Sequence, residues 1–156
     1  MAVVLKPPTA LPATKTMPTI FLAGSIDMGS AIDWQAEIER QLVNANLLLL
    51  NPRRAAWDSS WAQTIENPLF RGQVEWELDG LACADLIVIY FAPQTQAPIS
   101  LLELGLFASS GKVLVCCPEG FWRKGNVDII CARYQIPQVA SLDELIQACK
   151  RLVITE

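Results

Sequence analysis

The segment DLIVIYF, residues 85–91, decides the fold. After Asp85 every residue is apolar, and polar and apolar positions do not alternate. A strand that is covered on both faces has this continuous apolar pattern, whereas a strand with one face in water alternates. Four more such runs occur, at 18–24 (PTIFLAG), 46–52 (NLLLLNP), 112–118 (KVLVCCP) and, shorter, 136–140 (IPQVA). The sequence therefore predicts a parallel sheet that is buried on both faces.

Segments with helical periodicity separate these strands. They are predicted at 30–45, 68–84, about 98–110, 125–134 and 141–154. Strands alternating with helices predict an α/β fold. We expect a single three-layer domain over 18–156, with a five-stranded parallel sheet of flavodoxin-like (Rossmann-like) order 2-1-3-4-5. The proline-rich segment 1–17 is interpreted as a loose N-terminal arm. The helix at 68–84 is predicted to pack through Val74, Leu78, Leu81 and Ala82.

Composition excludes several classes of function. The chain of 156 residues has a net charge of −4 and no histidine, so serine–histidine catalysis is excluded. An acidic protein does not follow a phosphate backbone, and we expect no nucleic-acid partner. The five cysteines form no CxxC pair and read as buried, reduced thiols in a cytoplasmic protein. We expect no metal, no cofactor, no signal peptide and no membrane association.

The fold class predicts where a ligand binds. In parallel α/β sheets the ligand lies beyond the carboxyl ends of the strands. Four segments follow those ends: 24–27 (GSID), the long loop 51–61, the stretch 90–103 and the stretch 118–126. Small residues in the first of these allow backbone N–H groups to face a ligand, although an ordinary tight turn has the same composition.

Glu103 has two interpretations that local sequence leaves even. In SLLELG (100–105), Ser100 and Glu103 have the spacing of a capping box, which stabilises a helix start. SLDELI (141–146) has the same spacing and is interpreted as capping alone. Glu103 differs because leucines surround it, so that its carboxylate is poorly hydrated and suited to nucleophilic catalysis.

Other acidic and aromatic residues are weighed in the same way. Asp85 is either a turn residue before a strand or an acid for catalysis, and Asp58, between Trp57 and Trp61, is either a loop residue or a site acid. The two tryptophans either stack on a nucleobase or seal the core. Glu75 and Asp79 are interpreted as a solvated helix face.

Three motifs in order resemble the nucleoside 2-deoxyribosyltransferase family and its nucleotide N-glycosidase relatives. They are IFLAGSI (20–26), DGLACADLIVIYF (79–91) and SLLELGLFASSGK (100–112). The resemblance implies that Glu103 attacks the anomeric carbon of a 2-deoxyribosyl group, with a glycosyl-enzyme intermediate. It also implies an aspartate that assists departure of the base, for which Asp85 fits the motif best and Asp58 is possible. The partners implied are a nucleoside or nucleotide and a free nucleobase.

The resemblance also implies the substrate contacts. They are Phe21, Gly24, Ser25, Ile26, Asp27, Trp57, Asp58, Ser100 and Asn126. In the family's nucleotide hydrolases the first loop and the serine before the glutamate hold a 5′-phosphate. Here Asp27 would repel phosphate, which favours a nucleoside. The family often completes its pocket with a neighbouring subunit, so we expect a homo-oligomer, a dimer or hexamer, with GFWRKGNVD (120–128) as donor.

Two alternatives to a transferase remain open at this point. One is an N-glycosidase that hydrolyses a nucleoside or its 5′-monophosphate. The other is a non-catalytic nucleotide-binding module that keeps the pocket. The first shares a half-reaction with the transferase and differs in whether water or a base accepts the sugar.

Overall fold

Six strands and five helices occur among the residues that the computed structural model describes, which are 1–26, 32–54 and 60–154. The strands are β1 (Val3–Leu5), β2 (Thr19–Gly24), β3 (Leu48–Leu50), β4 (Leu86–Tyr90), β5 (Val113–Cys116) and β6 (Gln138–Val139). The helices are α1 (Trp34–Gln41), α2 (Pro68–Cys83), α3 (Pro98–Phe107), α4 (Lys124–Tyr134) and α5 (Leu142–Ile154). Strands and helices alternate from β2 onward, so the predicted α/β class is confirmed.

The sheet is parallel, and its order is β1-β3-β2-β4-β5-β6. The prediction of five strands in the order 2-1-3-4-5 is wrong as stated, because a sixth strand joins the edge. That strand, β1, lies in the segment interpreted as a loose arm, and Val3 to Leu5 pair with Leu48 to Leu50. Three residues in an arm rich in proline give no periodic signal, and β3 supplies the partner only in the folded chain.

Helices cover both faces of the sheet, which makes three layers. On one face α2, α3 and α4 pack against Phe21, Ile87 and Val115. On the other face α1 and α5 pack against Leu22, Val88 and Leu114. The central strands β2, β4 and β5 are buried on both sides, apart from the half-buried Leu86 at the start of β4. The prediction of a sheet covered on both faces is therefore confirmed, and this burial explains why the strands are continuous apolar runs.

Helix α2 packs through only part of the predicted set. Leu81 is buried as predicted and Val74 is half-buried, but Leu78 is 41% exposed and Ala82 is also exposed. Gln73, Trp76 and Gly80 are buried in addition. Gly80 lies so close to Phe21 that a Cβ atom there would come within 2.8 Å of the ring.

Four of the five cysteines are buried, as the sequence predicts. Cys116, Cys117, Cys131 and Cys149 are buried and free, as expected. Cys83 is also free, but it is exposed at the last turn of α2, so the prediction of burial is wrong there. No helix within the described ranges has the length and apolar character needed to cross a bilayer.

Candidate functional site

Glu103 does not cap its helix. Helix α3 begins at Pro98, and its N-cap, Ala97, is in the left-handed conformation (φ 46°) and makes no side-chain capping bond. Ser100 therefore lies inside the first turn. In α5, by contrast, the Glu144 N–H donates to the Ser141 hydroxyl (3.2 Å), and the Ala140 N–H donates to the Glu144 carboxylate (2.7 Å). The matching serine–glutamate spacing thus caps α5 only, and capping does not explain Glu103.

The Glu103 carboxyl group is held in an apolar setting. Only 8% of the residue is exposed, and no described residue donates a hydrogen bond to the side chain. Burial raises its pKa to about 8, and the charge of Glu77 adds to the effect. Desolvation favours the neutral acid over the anion, so the group titrates near neutral pH.

Glu77, on α2, is the residue that sequence reasoning missed. It is half-buried, and burial raises its pKa to about 7, while a hydrogen bond from the Gln73 Nε2 atom (3.2 Å) acts in the opposite direction. The same Gln73 nitrogen donates to the carbonyl oxygen of Pro52, at 3.2 Å. In the sequence Glu77 lies between Glu75 and Asp79, which are both exposed, so it is easily taken for part of a solvated face. The signal that could find it is its helical spacing from the buried residues 73, 76, 80 and 81.

The site is therefore a pair of carboxyl groups between α2 and α3. Two carboxyls in one poorly hydrated place do not both ionise easily, because each charge disfavours the other. Burial raises the pKa of each carboxyl group, and the charge of Glu77 raises that of Glu103 further. Two such groups can supply one acid and one anion, which is the combination that glycosyl transfer uses.

Asp85 does not lie with Glu103. It precedes β4, at the amino end of the strand, whereas α3 follows the carboxyl end. Its carboxylate pairs with Lys15 and accepts a hydrogen bond from the Thr19 N–H (2.8 Å), and these contacts lower its pKa against the effect of burial. The structure therefore does not bring Asp85 together with Glu103: Asp85 lies at the amino end of β4, and α3 begins beyond the carboxyl end of that strand.

The first loop contributes structure more than open binding surface. Phe21 is fully buried and contacts Trp76, with ring centroids 6.2 Å apart, so it is a core residue and not an exposed contact. Gly24 has φ +135°, and a Cβ atom there would lie 2.4 Å from the Tyr90 carbonyl oxygen, so close strand packing requires glycine. Ser25 is also fully buried. Ile26 is half-buried at the end of this segment.

The remaining predicted contacts divide into three groups. Asp27, Trp57 and Asp58 lie outside the described residues. Ser100 is buried on α3, one turn before Glu103. Asn126 lines a groove of about 380 Å³ between α3 and α4, together with Leu101, Leu104, Gly105, Trp122, Arg123, Val127 and Ile130. At 100° per residue, Glu103 projects from α3 away from Leu101 and Gly105, so the structure does not bring Asn126 together with it.

Trp61 and Arg54 belong to the connection between β3 and α2. The Arg54 guanidinium lies over the ring of the half-buried Trp61, 4.9 Å from its centre. Trp34 and Trp76 are core residues. Among the described residues, no three cysteine, aspartate or glutamate side chains are grouped so as to hold a metal ion.

Comparisons with known proteins agree with the fold and the motifs. A sequence profile of the family described as nucleoside 2-deoxyribosyltransferase-like matches residues 17–121. The fold is similar to that of a conserved protein from Enterococcus faecalis V583, with a TM-score of 0.61 and 15% identity, covering 87% of this chain and 99% of that one. No curated protein matches the sequence. The profile match includes both Glu77 and Glu103.

Proposed function

The chain belongs to the nucleoside 2-deoxyribosyltransferase-like family, and from this premise we propose that it cleaves the N-glycosidic bond of a 2′-deoxynucleoside and transfers the sugar to another base. The observation that carries the proposal is the Glu77–Glu103 carboxyl pair between α2 and α3. A retaining glycosyl transfer uses two carboxyl groups and needs no histidine. The resemblance supplies an aspartate for the second role, and here the proposal gives that role to Glu77 in place of Asp85.

The proposed reaction has two steps that balance. In the first, a Glu103 oxygen attacks the anomeric carbon, the carbon–nitrogen bond breaks, and Glu77 gives its proton to the base that leaves with the bonding electrons. In the second, a ring nitrogen of the incoming base attacks the same carbon, the ester bond to Glu103 breaks, and Glu77 takes the proton from that nitrogen. The higher pKa of Glu103, about 8 against about 7 for Glu77, leaves the proton of the resting pair on Glu103. The reaction therefore requires this proton to move to Glu77 when substrate binds, and the positive charge developing on the sugar favours the Glu103 anion.

A nucleoside fits the first loop better than a nucleotide. The Ser25 hydroxyl, which the resemblance assigns to a 5′-phosphate, is fully buried and hydrogen-bonded within the protein. A buried hydroxyl with both partners satisfied offers no donor to a phosphate. This contact and the acidic Asp27 support the same preference.

The proposed enzyme acts as a homo-oligomer, a dimer or hexamer. Support comes from the outer side of α3, where Ile99, Leu102 and Leu106 are each more than half exposed. Large apolar side chains grouped on one helix face are typical of subunit contacts. Leu102→Glu should reduce the mass that light scattering measures for the wild-type protein, and an unchanged mass would remove this face from the interface.

One assay separates the proposed activity from its alternatives. The protein is incubated with thymidine and free adenine, and in parallel with dCMP and dUMP, and products are followed by chromatography. Formation of 2′-deoxyadenosine supports the transferase. Free sugar without base exchange identifies a hydrolase, and binding without turnover identifies a binding module; either result contradicts the proposal.

A further inference from the structure

We propose that Ser25 and Thr95 are positioning residues: their paired hydroxyl groups fix the start of α3 and so hold Glu103 in its buried position. This inference rests on the proposed function for its catalytic consequence, but its structural content is independent of it. Neither hydroxyl touches substrate in this account. Ser25 thereby takes a role different from the phosphate contact that the resemblance implies.

The two hydroxyls belong to a closed ring of hydrogen bonds. The Ala92 N–H donates to Ser25 Oγ at 2.9 Å. Thr95 Oγ1 donates to the Ala92 carbonyl oxygen at 2.8 Å. Ser25 Oγ and Thr95 Oγ1 lie 2.7 Å apart. Because the Thr95 proton is already used, Ser25 is the donor in the last contact, and every donor in the ring has an acceptor.

Ser25 connects this ring to the rest of the fold. Its backbone N–H donates to the Tyr90 carbonyl oxygen at 2.9 Å, and its own carbonyl accepts a hydrogen bond from Trp34 Nε1 at 3.0 Å. Ser25 is fully buried, and Thr95 is 8% exposed. In such surroundings an unpaired hydroxyl is costly, so the ring resists distortion. It ties the carboxyl ends of β2 and β4 to the loop that leads into α3.

That loop is the part of the chain that needs to be held. Gln94 (φ 65°) and Ala97 (φ 46°) are both left-handed without being glycine, a conformation that persists only where the surroundings impose it. Helix α3 has no side-chain cap to fix its first turn. Two hydrogen bonds also join the loop to the β5–α4 connection: the Gln94 N–H donates to the Gly120 carbonyl oxygen, and Trp122 Nε1 donates to the Gln96 carbonyl oxygen.

The position of α3 matters because it carries one member of a repelling pair. Among the described residues, Glu77 is the one charged group that shifts the pKa of Glu103. If the start of α3 shifts, water can reach the Glu103 carboxyl group, and hydration would lower its pKa. A misplacement of about 1 Å is enough to cost a large factor in rate. The ring is the contact that opposes this movement from the carboxyl end of β4.

The test removes each hydroxyl and then restores one of them. Ser25→Ala and Thr95→Val delete the contact, Thr95→Ser keeps the hydroxyl, and Ser110→Ala is the matched control, because Ser110 donates to the Phe107 carbonyl oxygen at the other end of α3. Thermal unfolding first identifies the temperature at which all variants are folded. Two measurements follow there: steady-state kinetics of base exchange, and titration of the glutamate carboxyl carbons by NMR without substrate.

Ser25→Ala and Thr95→Val should lower kcat about 10-fold or more while KM changes little. The same variants should lower the apparent pKa of the carboxyl pair by about one unit, as the pair becomes hydrated. Thr95→Ser and Ser110→Ala should behave like the wild type in both measurements. An unchanged titration in Thr95→Val, or a Thr95→Ser variant no better than Thr95→Val, would overturn the proposal. If the wild type shows no base exchange, the proposed function fails, and the titration alone decides this inference.

Discussion

The carboxyl group of Glu77 on α2 acts electrostatically on that of Glu103 on α3, in a place where burial raises the pKa of both. The two residues are 26 positions apart in the sequence and on separate helices. Both helices pack on the same face of the sheet. The proposed function depends on this pair.

Glu103→Gln should abolish base exchange while leaving the fold intact. An amide of the same shape cannot form the glycosyl ester, so kcat should fall by about 10³-fold or more. Glu144→Gln is the matched control, because Glu144 has the same serine spacing but serves only the α5 cap. Initial rates of 2′-deoxyadenosine formation measure both variants. Substantial turnover by Glu103→Gln would end the assignment of a nucleophile.

Glu77→Gln should slow the step in which the base leaves. Loss of a general acid costs about 10²–10⁴-fold, and the loss is smaller for a base that departs easily without a proton. Comparing nucleosides whose bases differ in leaving ability, under single-turnover conditions, measures this dependence. A rate loss equal for all bases would mean that Glu77 supports the site without donating a proton.

Stability should fall as pH rises through the neutral range. The folded pKa values of about 7 and about 8 lie above the ordinary value of 4.5, so the native state binds more protons than the unfolded state between these limits. From this source the free energy of unfolding is therefore highest below about pH 4.5 and decreases as the pH rises toward 8. Urea unfolding at several pH values checks it. Glu103→Gln should flatten the slope and be the more stable protein at pH 8, whereas Glu144→Gln should retain the wild-type slope.

Asp85→Asn should leave kcat nearly unchanged. The side chain is about 40% exposed and pairs with Lys15 at the amino end of β4. An exposed ion pair contributes roughly 0–1 kcal/mol, so only a small loss of stability is expected. Kinetics and urea unfolding of the same preparation test both points. A fall in kcat comparable with that of Glu77→Gln would restore Asp85 to the site.

The sequence predicts the layers of this fold better than the contacts of its site. Long apolar runs such as 85–91 determine a doubly covered sheet because their pattern leaves no other environment. Strand β1 could not be predicted from this pattern, because its three residues form a strand only by pairing with β3. Likewise, Ser100–Glu103 and Ser141–Glu144 have the same spacing but different structures. Helix α3 begins at Pro98, after the left-handed Ala97, which is three residues before the position where a helix capped by Ser100 would begin.

Glu77, the proposed acid, could not be identified from the sequence of α2 alone. Glu75, Glu77 and Asp79 alternate along one stretch of sequence, but only Glu77 is half-buried, whereas Glu75 and Asp79 are exposed. The face of α2 that packs on the sheet includes Gly80, which lies against Phe21, a residue distant in the sequence. Asp85 illustrates the converse, since an exact motif position placed it in the site and the direction of the strand places it at the other edge.

The covalent intermediate is the most direct test of the central claim, that Glu103 is the nucleophile. The protein is incubated with a 2′-deoxy-2′-fluoroarabinosyl nucleoside, whose fluorine slows release of the sugar, and then digested with trypsin. Because no lysine or arginine lies between Arg71 and Lys112, Glu77 and Glu103 fall in one peptide, 72–112, and fragmentation in the mass spectrometer must locate the added sugar. The account predicts the fluorosugar on Glu103 in the wild type and no adduct in Glu103→Gln. A sugar on Glu77, or base exchange that proceeds with no adduct on either residue, would contradict it.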